Sequence, residues 1–224
     1  MAERSRVDAV VLDLDGTLVD SVYAHVLAWH AAFRDVGLHV PTARLHRLIG
    51  MGGDRLVAAA AGEATEHALG DELRRRHPER LDQLFGSIVP TEGAGDLLQA
   101  LRDHGLTVTL ASSSERDLTD RLLDLLGADR HLLDELVTGS DAERSKPSGE
   151  LVSVALESVD ADRAVVVGDA TWDVRAAADA GVPCVTVLTG GIGEAELLEA
   201  GAAAVHASPA DLAAHLRATG SLLG

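Results

Sequence analysis

The sequence predicts an α/β fold: a parallel β-sheet between layers of helices, with an all-helical segment inserted after the first strand. Three observations carry that expectation. Residues 7–12, Val-Asp-Ala-Val-Val-Leu, are a β-branched run of the kind buried inside a parallel sheet. From residue 94 onward, short apolar runs alternate with stretches whose apolar residues recur every three or four positions. Between residues 22 and 86 only the helical period occurs.

The elements follow in order. The first strand leads into Asp13-Leu14-Asp15-Gly16-Thr17. Asp13 and Asp15 read as its last residues, on one face because strand side chains alternate. Gly16 breaks the extended chain and Thr17 opens a turn. After Ser21, Val22, Val26, Trp29 and Phe33 mark a helix ending near Gly37. Pro41 restarts the chain, Leu45, Leu48 and Ile49 suggest a short helix, and Gly50-Met51-Gly52-Gly53 interrupts it. Helices over Leu56–Ala61 and Thr65–Leu84 precede a loop at Ser87–Gly93. Then come helix Ala94–His104 with Gly105 as its cap, strand Leu106–Ala111, helix Arg116–Leu126 and strand Glu135–Thr138. Helix Glu150–Ser158, strand Ala164–Asp169, helix Thr171–Ala180 and strand Val182–Leu188 continue the alternation. Helix Glu194–Ala200, strand Ala203–His206 and helix Pro209–Ala218 complete it. Such alternation implies right-handed crossovers between parallel strands. The expected division is a core of residues 1–20 and 88–224 and a helical insertion of residues 21–87.

Composition narrows the function. A formal charge of −17 makes nucleic acid and anionic membranes poor partners. An anionic substrate would need a locally positive site. Cys184 is alone, so no internal disulfide forms, and a reducing compartment fits. The lead-in from Glu3-Arg4 lacks a signal-peptide apolar region, and no apolar run is long enough to span a bilayer. A cytoplasmic protein is the expectation. Of 19 basic residues, all but Lys146 are arginine, which singles out one compact ammonium group.

Ligands of such sheets sit outside the carboxyl ends of the strands. Four segments end there in polar residues: Asp13 with Asp15, Ser112, the loop carrying Lys146, and Asp169. Paired carboxylates at a strand end repel each other and lose solvation. A hard cation such as Mg²⁺, which prefers oxygen ligands, relieves both costs.

The segment Asp13-x-Asp15-Gly-Thr17 after an apolar strand resembles the first motif of the haloacid dehalogenase superfamily of phosphatases and phosphotransferases. Ser112, Lys146-Pro147 and Gly168-Asp169…Asp173 resemble its later motifs, in the expected order. The resemblance implies a Rossmann-like core with a small helical cap at the insertion, as in phosphoglycolate phosphatases and β-phosphoglucomutases. It implies Mg²⁺ held by Asp13, Asp169 and the backbone carbonyl of Asp15. Thr17, Ser112, Ser113 and Lys146 would bind phosphate, with Asp173 behind them holding water, Lys146 or a backbone amide. Asp13 would be the nucleophile forming an aspartyl-phosphate, and Asp15 the acid and base. Ser148-Gly149-Glu150 departs from the usual second proline after Lys-Pro, which bears on the helix start and not on the charge.

His25-Val-Leu-Ala-Trp29 resembles a segment of β-phosphoglucomutases and sugar-phosphate phosphatases. His25 either helps to position Asp15 or belongs, with Trp29 and Phe33, to one inward-packing stripe. Gly50–Asp54, with Gly52, Gly53 and nearby Arg55, is either a substrate-specificity loop or an interhelical turn. Arg74-Arg75-Arg76-His77 reads chiefly as a solvated helix face, with an anionic substrate tail as the other reading. The absence of a lysine from the insertion argues against phosphonoacetaldehyde hydrolases, and the presence of Asp15 argues against dehalogenases. The resulting expectation is a Mg²⁺-dependent phosphatase of a small phosphorylated metabolite, phosphoglycolate or a sugar phosphate. A phosphomutase is the enzymatic alternative, disfavoured by the lack of basic residues in Ile49–Gly53. A non-catalytic phosphate-binding or phosphoacceptor protein is the alternative of another class.

Overall fold

A computed structural model describes residues 7–142, 144–159 and 163–223. The Glu3-Arg4 lead-in lies outside them. Six strands form one parallel sheet: β1 (Ala9–Leu12), β4 (Thr107–Ala111), β5 (Glu135–Val137), β6 (Ala164–Gly168), β7 (Cys184–Val187) and β8 (Ala204–His206). Their order is β5-β4-β1-β6-β7-β8, so the sheet runs outward both ways from β1. β1 is buried on both faces, as its unbroken apolar run requires.

The period of two sorts the core into layers. Val10 and Leu12 pack with Val108, Leu110, Val165 and Val167 under α5 (Ala94–Asp103), α6 (Arg116–Asp124) and α10 (Pro209–Thr219). Val11 and Val166 face the other way, against α7 (Glu150–Ser158), α8 (Thr171–Asp179) and α9 (Glu194–Ala200). A third apolar cluster lies within α1 (Val22–Asp35), α2 (Thr42–His46), α3 (Gly53–Ala61) and α4 (Glu63–Asp82), built on Trp29, Phe33, Leu45, Leu56 and Leu73. None of the helices among the described residues is long and apolar enough to cross a membrane.

Three details depart from the sequence reading. β2 (Val19–Asp20) and β3 (Val89–Pro90) pair antiparallel where a turn and a loop were expected. They join the two ends of the helical insertion, and two-residue strands are too short to show a periodic pattern. α6 stops at Asp124, and a 3₁₀ segment over Gly127–Leu132 follows. Finally, β1 ends at Leu12, so Asp13 and Asp15 lie beyond it. The Asp13 N–H still extends the ladder by donating to the Val167 carbonyl at 2.9 Å. The Leu14 carbonyl then gathers the N–H groups of Thr17, Leu18 and Val19, closing a tight loop. Gly16 makes that loop possible with φ +87°.

Candidate active site

Register delivers the site. Leu12 lies opposite Leu110 on one side and Val167 on the other. Asp13, Ser112 and Asp169 therefore leave the sheet at one rim, and the loop after β5 brings Lys146 to it.

The Lys146 ammonium, 2% exposed, donates to Asp13 Oδ1 and, at 2.7 Å, to Asp173 Oδ1. Asp173 Oδ2 accepts the N–H groups of Asp169 at 3.2 Å and Ala170 at 3.0 Å. Thr17 gives its hydroxyl to Asp169 Oδ1 at 3.2 Å, so this hydroxyl holds a carboxylate. Buried Asp13, Asp169 and Asp173 each present an oxygen within 4.8 Å of the others. Three carboxylates thus face one ammonium.

The charge imbalance shows in proton affinity. Burial pushes the Asp13 carboxyl up, Lys146 pulls it back, and Asp173 and Asp15 push again, leaving it at about 7. Burial and the charges of Asp173 and Asp13 hold Asp169 well above the carboxylate range. Burial alone would lower Lys146, but Asp13 and Asp173 outweigh it and keep the ammonium charged. Excess buried negative charge on oxygen donors fits a hard divalent cation. A Cβ at Gly16 or Gly190 would overlap the Asp169 carboxylate, so both glycines are needed to seat it. Gly190 had no local signal in the sequence.

The Asp15 side chain is turned elsewhere. Its Oδ1 accepts the Ser21 hydroxyl at 2.5 Å and lies 3.0 Å from His25 Nε2. Its Oδ2 accepts the Ser114 hydroxyl at 3.2 Å. Its carboxylate is thus not part of the trio formed by Asp13, Asp169 and Asp173. Burial would raise this carboxyl, but the charge of His25 and the hydrogen bonds from His25, Ser21 and Ser114 hold it at about 2.

His25 packs on the inward face of α1 with Trp29 and Phe33 and also reaches Asp15. Its other nitrogen, Nδ1, is 3.1 Å from His77 Nε2. His77 stacks on Trp29, with ring centroids 4.4 Å apart. Burial pushes His77 well below the ordinary imidazole value, aided by the charge of His25. The Arg74–His77 run is therefore not one solvated face. Arg75 pairs with Glu72 and Glu79 on the exposed side, Arg76 bridges Glu72 and Asp35 of α1, and Arg74 and His77 line the cavity. The signal was spacing: His77 lies four residues after buried Leu73.

Ser112 is fully buried and accepts the Ser114 N–H at 3.1 Å. It is not the cap of α6, which begins after Glu115. Ser113 lies against the insertion, with its hydroxyl 3.4 Å from the Gly50 carbonyl. A cavity of about 430 Å³ opens between this rim and α1, α3 and α4. Gly52 is buried against Ser145, where a Cβ would collide, and Gly53 opens α3. Arg55 is not among the residues lining the cavity. Leu56 takes the inward position of α3, and Arg55, one residue round the helix, sits 3.8 Å from Asp54.

Comparison with known proteins agrees with this geometry. Residues 7–181 match the family described as haloacid dehalogenase-like hydrolase. The validoxylamine A 7'-phosphate phosphatase of Streptomyces hygroscopicus subsp. limoneus is 29% identical over 193 residues, covering 80% of this chain and 84% of that protein. A plasmid-encoded phosphoglycolate phosphatase of Cupriavidus necator is 34% identical over 193 residues, covering 81% of each. The crystal structure of a hydrolase from Pseudomonas syringae superposes with a TM-score of 0.89 at 32% identity, covering 96% of this chain and all of that one. The chain is an enzyme of the haloacid dehalogenase-like hydrolase family.

Proposed function

We propose that this enzyme is a Mg²⁺-dependent phosphatase that hydrolyses the phosphomonoester of a small metabolite through an aspartyl-phosphate on Asp13. The observation that carries the reading is the division of labour between two carboxylates two residues apart. Asp13 is buried and held by Lys146 beside Asp169 and Asp173, whereas Asp15 faces the cavity among hydrogen-bond donors. One carboxylate is thereby set as nucleophile and the other as proton carrier.

Asp13 attacks phosphorus, and the substrate's ester oxygen departs. Lys146 places its positive charge beside the transferring group. Asp15 gives the departing oxygen a proton, then removes one from the water that attacks the aspartyl-phosphate. In the structure Asp15 favours the base form, which suits the second step. For the first step, the proton source in reach is His25 Nε2, 3.0 Å from Asp15 Oδ1. Ser113 and the N–H groups around Ser112 lie at the same rim to bind phosphoryl oxygens. Asp13, Asp169 and the main-chain carbonyl of Asp15 are the groups that would hold Mg²⁺. When bound, the ion neutralises charge on the phosphoryl oxygens and on the carboxylates. Helices α1–α4 act as a cap over the cavity, and residues 21–87 form this second unit. Phosphate release from a panel of small phosphomonoesters with Mg²⁺ tests the reading, and no turnover across a broad panel would contradict it.

The metal can be tested without turnover. Asp13 releases its proton near 7 in the folded chain and near its ordinary 3.8 when unfolded. Between those values the folded state binds more protons, so metal-free stability falls as pH rises through that window. Mg²⁺ is therefore expected to raise the melting temperature more at pH 8 than at pH 5, relative to EDTA. An absent or pH-independent shift would count against the carboxylate trio as the metal site.

His77 is expected to act as a positioning residue for His25. His77→Leu should lower kcat on an alkyl phosphate roughly 10- to 100-fold, and His77→Gln should restore much of it. An aryl ester such as p-nitrophenyl phosphate, whose leaving group needs no proton, should lose less than about threefold. Equal losses on both substrates would remove His77 from proton delivery.

A further inference from the structure

We infer that the alcohol half of the substrate is uncharged or bears an amine, as in a sugar or amino-sugar phosphate, and carries no second anionic group. The inference rests on the phosphatase reading above and concerns the same cavity. Away from Asp13 and Asp15, the cavity lining holds two guanidinium groups, Arg74 and Arg121, and three carboxylates, Asp54, Glu115 and Asp117.

Neither guanidinium is left over to receive an anion. Arg74 donates to Glu66 at 2.7 Å, to Asp71 at 2.8 Å and to the Gly53 carbonyl at 3.3 Å. Arg121 pairs with Asp82 at 2.8 Å, and its guanidinium lies 4.4 Å over the Phe85 ring. Glu66, Asp71 and Asp82 are not part of the lining, so both positive charges are neutralised from behind. Glu115 and Asp117 keep theirs, and Asp54 shares its own with Arg55, which lies outside the lining. Glu115 accepts the Ser140 hydroxyl at 2.7 Å, and Asp54 accepts the Ser145 hydroxyl at 2.5 Å, with Arg55 only at 3.8 Å. Asp117 has no ion-pair partner among the described residues. The chain's single lysine is already engaged at the phosphoryl end.

The leaving-group end is therefore negative. A carboxylate or second phosphate placed there meets like charge with no unpaired cation among the described lining residues, a built-in penalty against such substrates. Hydroxyl or ammonium donors meet acceptors instead. Volume points the same way, since about 430 Å³ lies in the range of pockets for ligands well above a two-carbon acid. The inference thus parts from the phosphoglycolate named for the Cupriavidus necator relative and from the phosphomutase alternative.

The test uses the full chain with Mg²⁺. Values of kcat/KM are measured for glucose 6-phosphate, glucosamine 6-phosphate, phosphoglycolate and fructose 1,6-bisphosphate, with p-nitrophenyl phosphate as control. The two singly phosphorylated sugars are expected to exceed phosphoglycolate and the bisphosphate by roughly tenfold or more. Asp117→Lys should raise the ratio of phosphoglycolate to glucose 6-phosphate turnover by about tenfold, a gain that fades near about 0.5 M salt. Phosphoglycolate as the preferred substrate, with a ratio indifferent to Asp117→Lys, would overturn the inference while leaving a phosphatase. Failure to hydrolyse every ester, p-nitrophenyl phosphate included, would overturn the phosphatase reading itself.

Discussion

Asp13→Asn is expected to lower kcat on any phosphomonoester by at least about 10⁴-fold, because an amide is too weak a nucleophile to form the covalent intermediate. The fold should survive. Asp13 sits beyond the end of β1, its N–H bonded to the Val167 carbonyl, and an asparagine keeps that backbone bond. Removing its charge also relieves a cluster in which burial, Asp173 and Asp15 all push the carboxyl toward neutrality. The metal-free melting temperature should accordingly stay level or rise above pH 7. Circular dichroism melts beside steady-state kinetics check both halves. Retained activity would reject Asp13 as nucleophile, and an unfolded variant would show that its charge is structural.

Lys146→Met is the second large effect, and it acts on stability and activity together. The ammonium is buried and donates to both Asp13 and Asp173. Taking one partner from a buried ion pair costs about 3–5 kcal/mol, since the other charge stays behind without compensation. Activity should fall roughly 10²- to 10³-fold through the lost charge beside the phosphoryl group. The sign of the pH dependence is fixed. The bereft carboxylates take up protons more readily, so the destabilisation should be smaller at pH 5 than at pH 8. Denaturant melts at both values check this, and a loss equal at both would mean that packing, not charge, holds Lys146 in place.

Much of this is legible in the amino-acid sequence. Buried parallel strands announce themselves as β-branched runs, and the reading of α7 and α9 matches the structure residue for residue. Lys146 stood out because arginine supplies every other basic residue. What the chain hid were properties of tertiary placement. A run of three arginines looks solvated, yet a helix presents Arg74 and His77 to one side and Arg75 and Arg76 to another. Three consecutive serines offer no local reason to pick the one facing Asp15. The structure gives Ser114 to Asp15 and buries Ser112 behind it. The charge of the leaving-group pocket was equally hidden, because Glu66, Asp71 and Asp82 neutralise arginines that proximity in sequence alone does not assign to the cavity.

A single turnover quenched in acid, reduced with borohydride and mapped by mass spectrometry tests the account most directly. An acyl phosphate on Asp13 would be reduced there to homoserine, in wild-type protein only and only after substrate is added. Reduction at Asp15, or at no residue while phosphate is released, would contradict it.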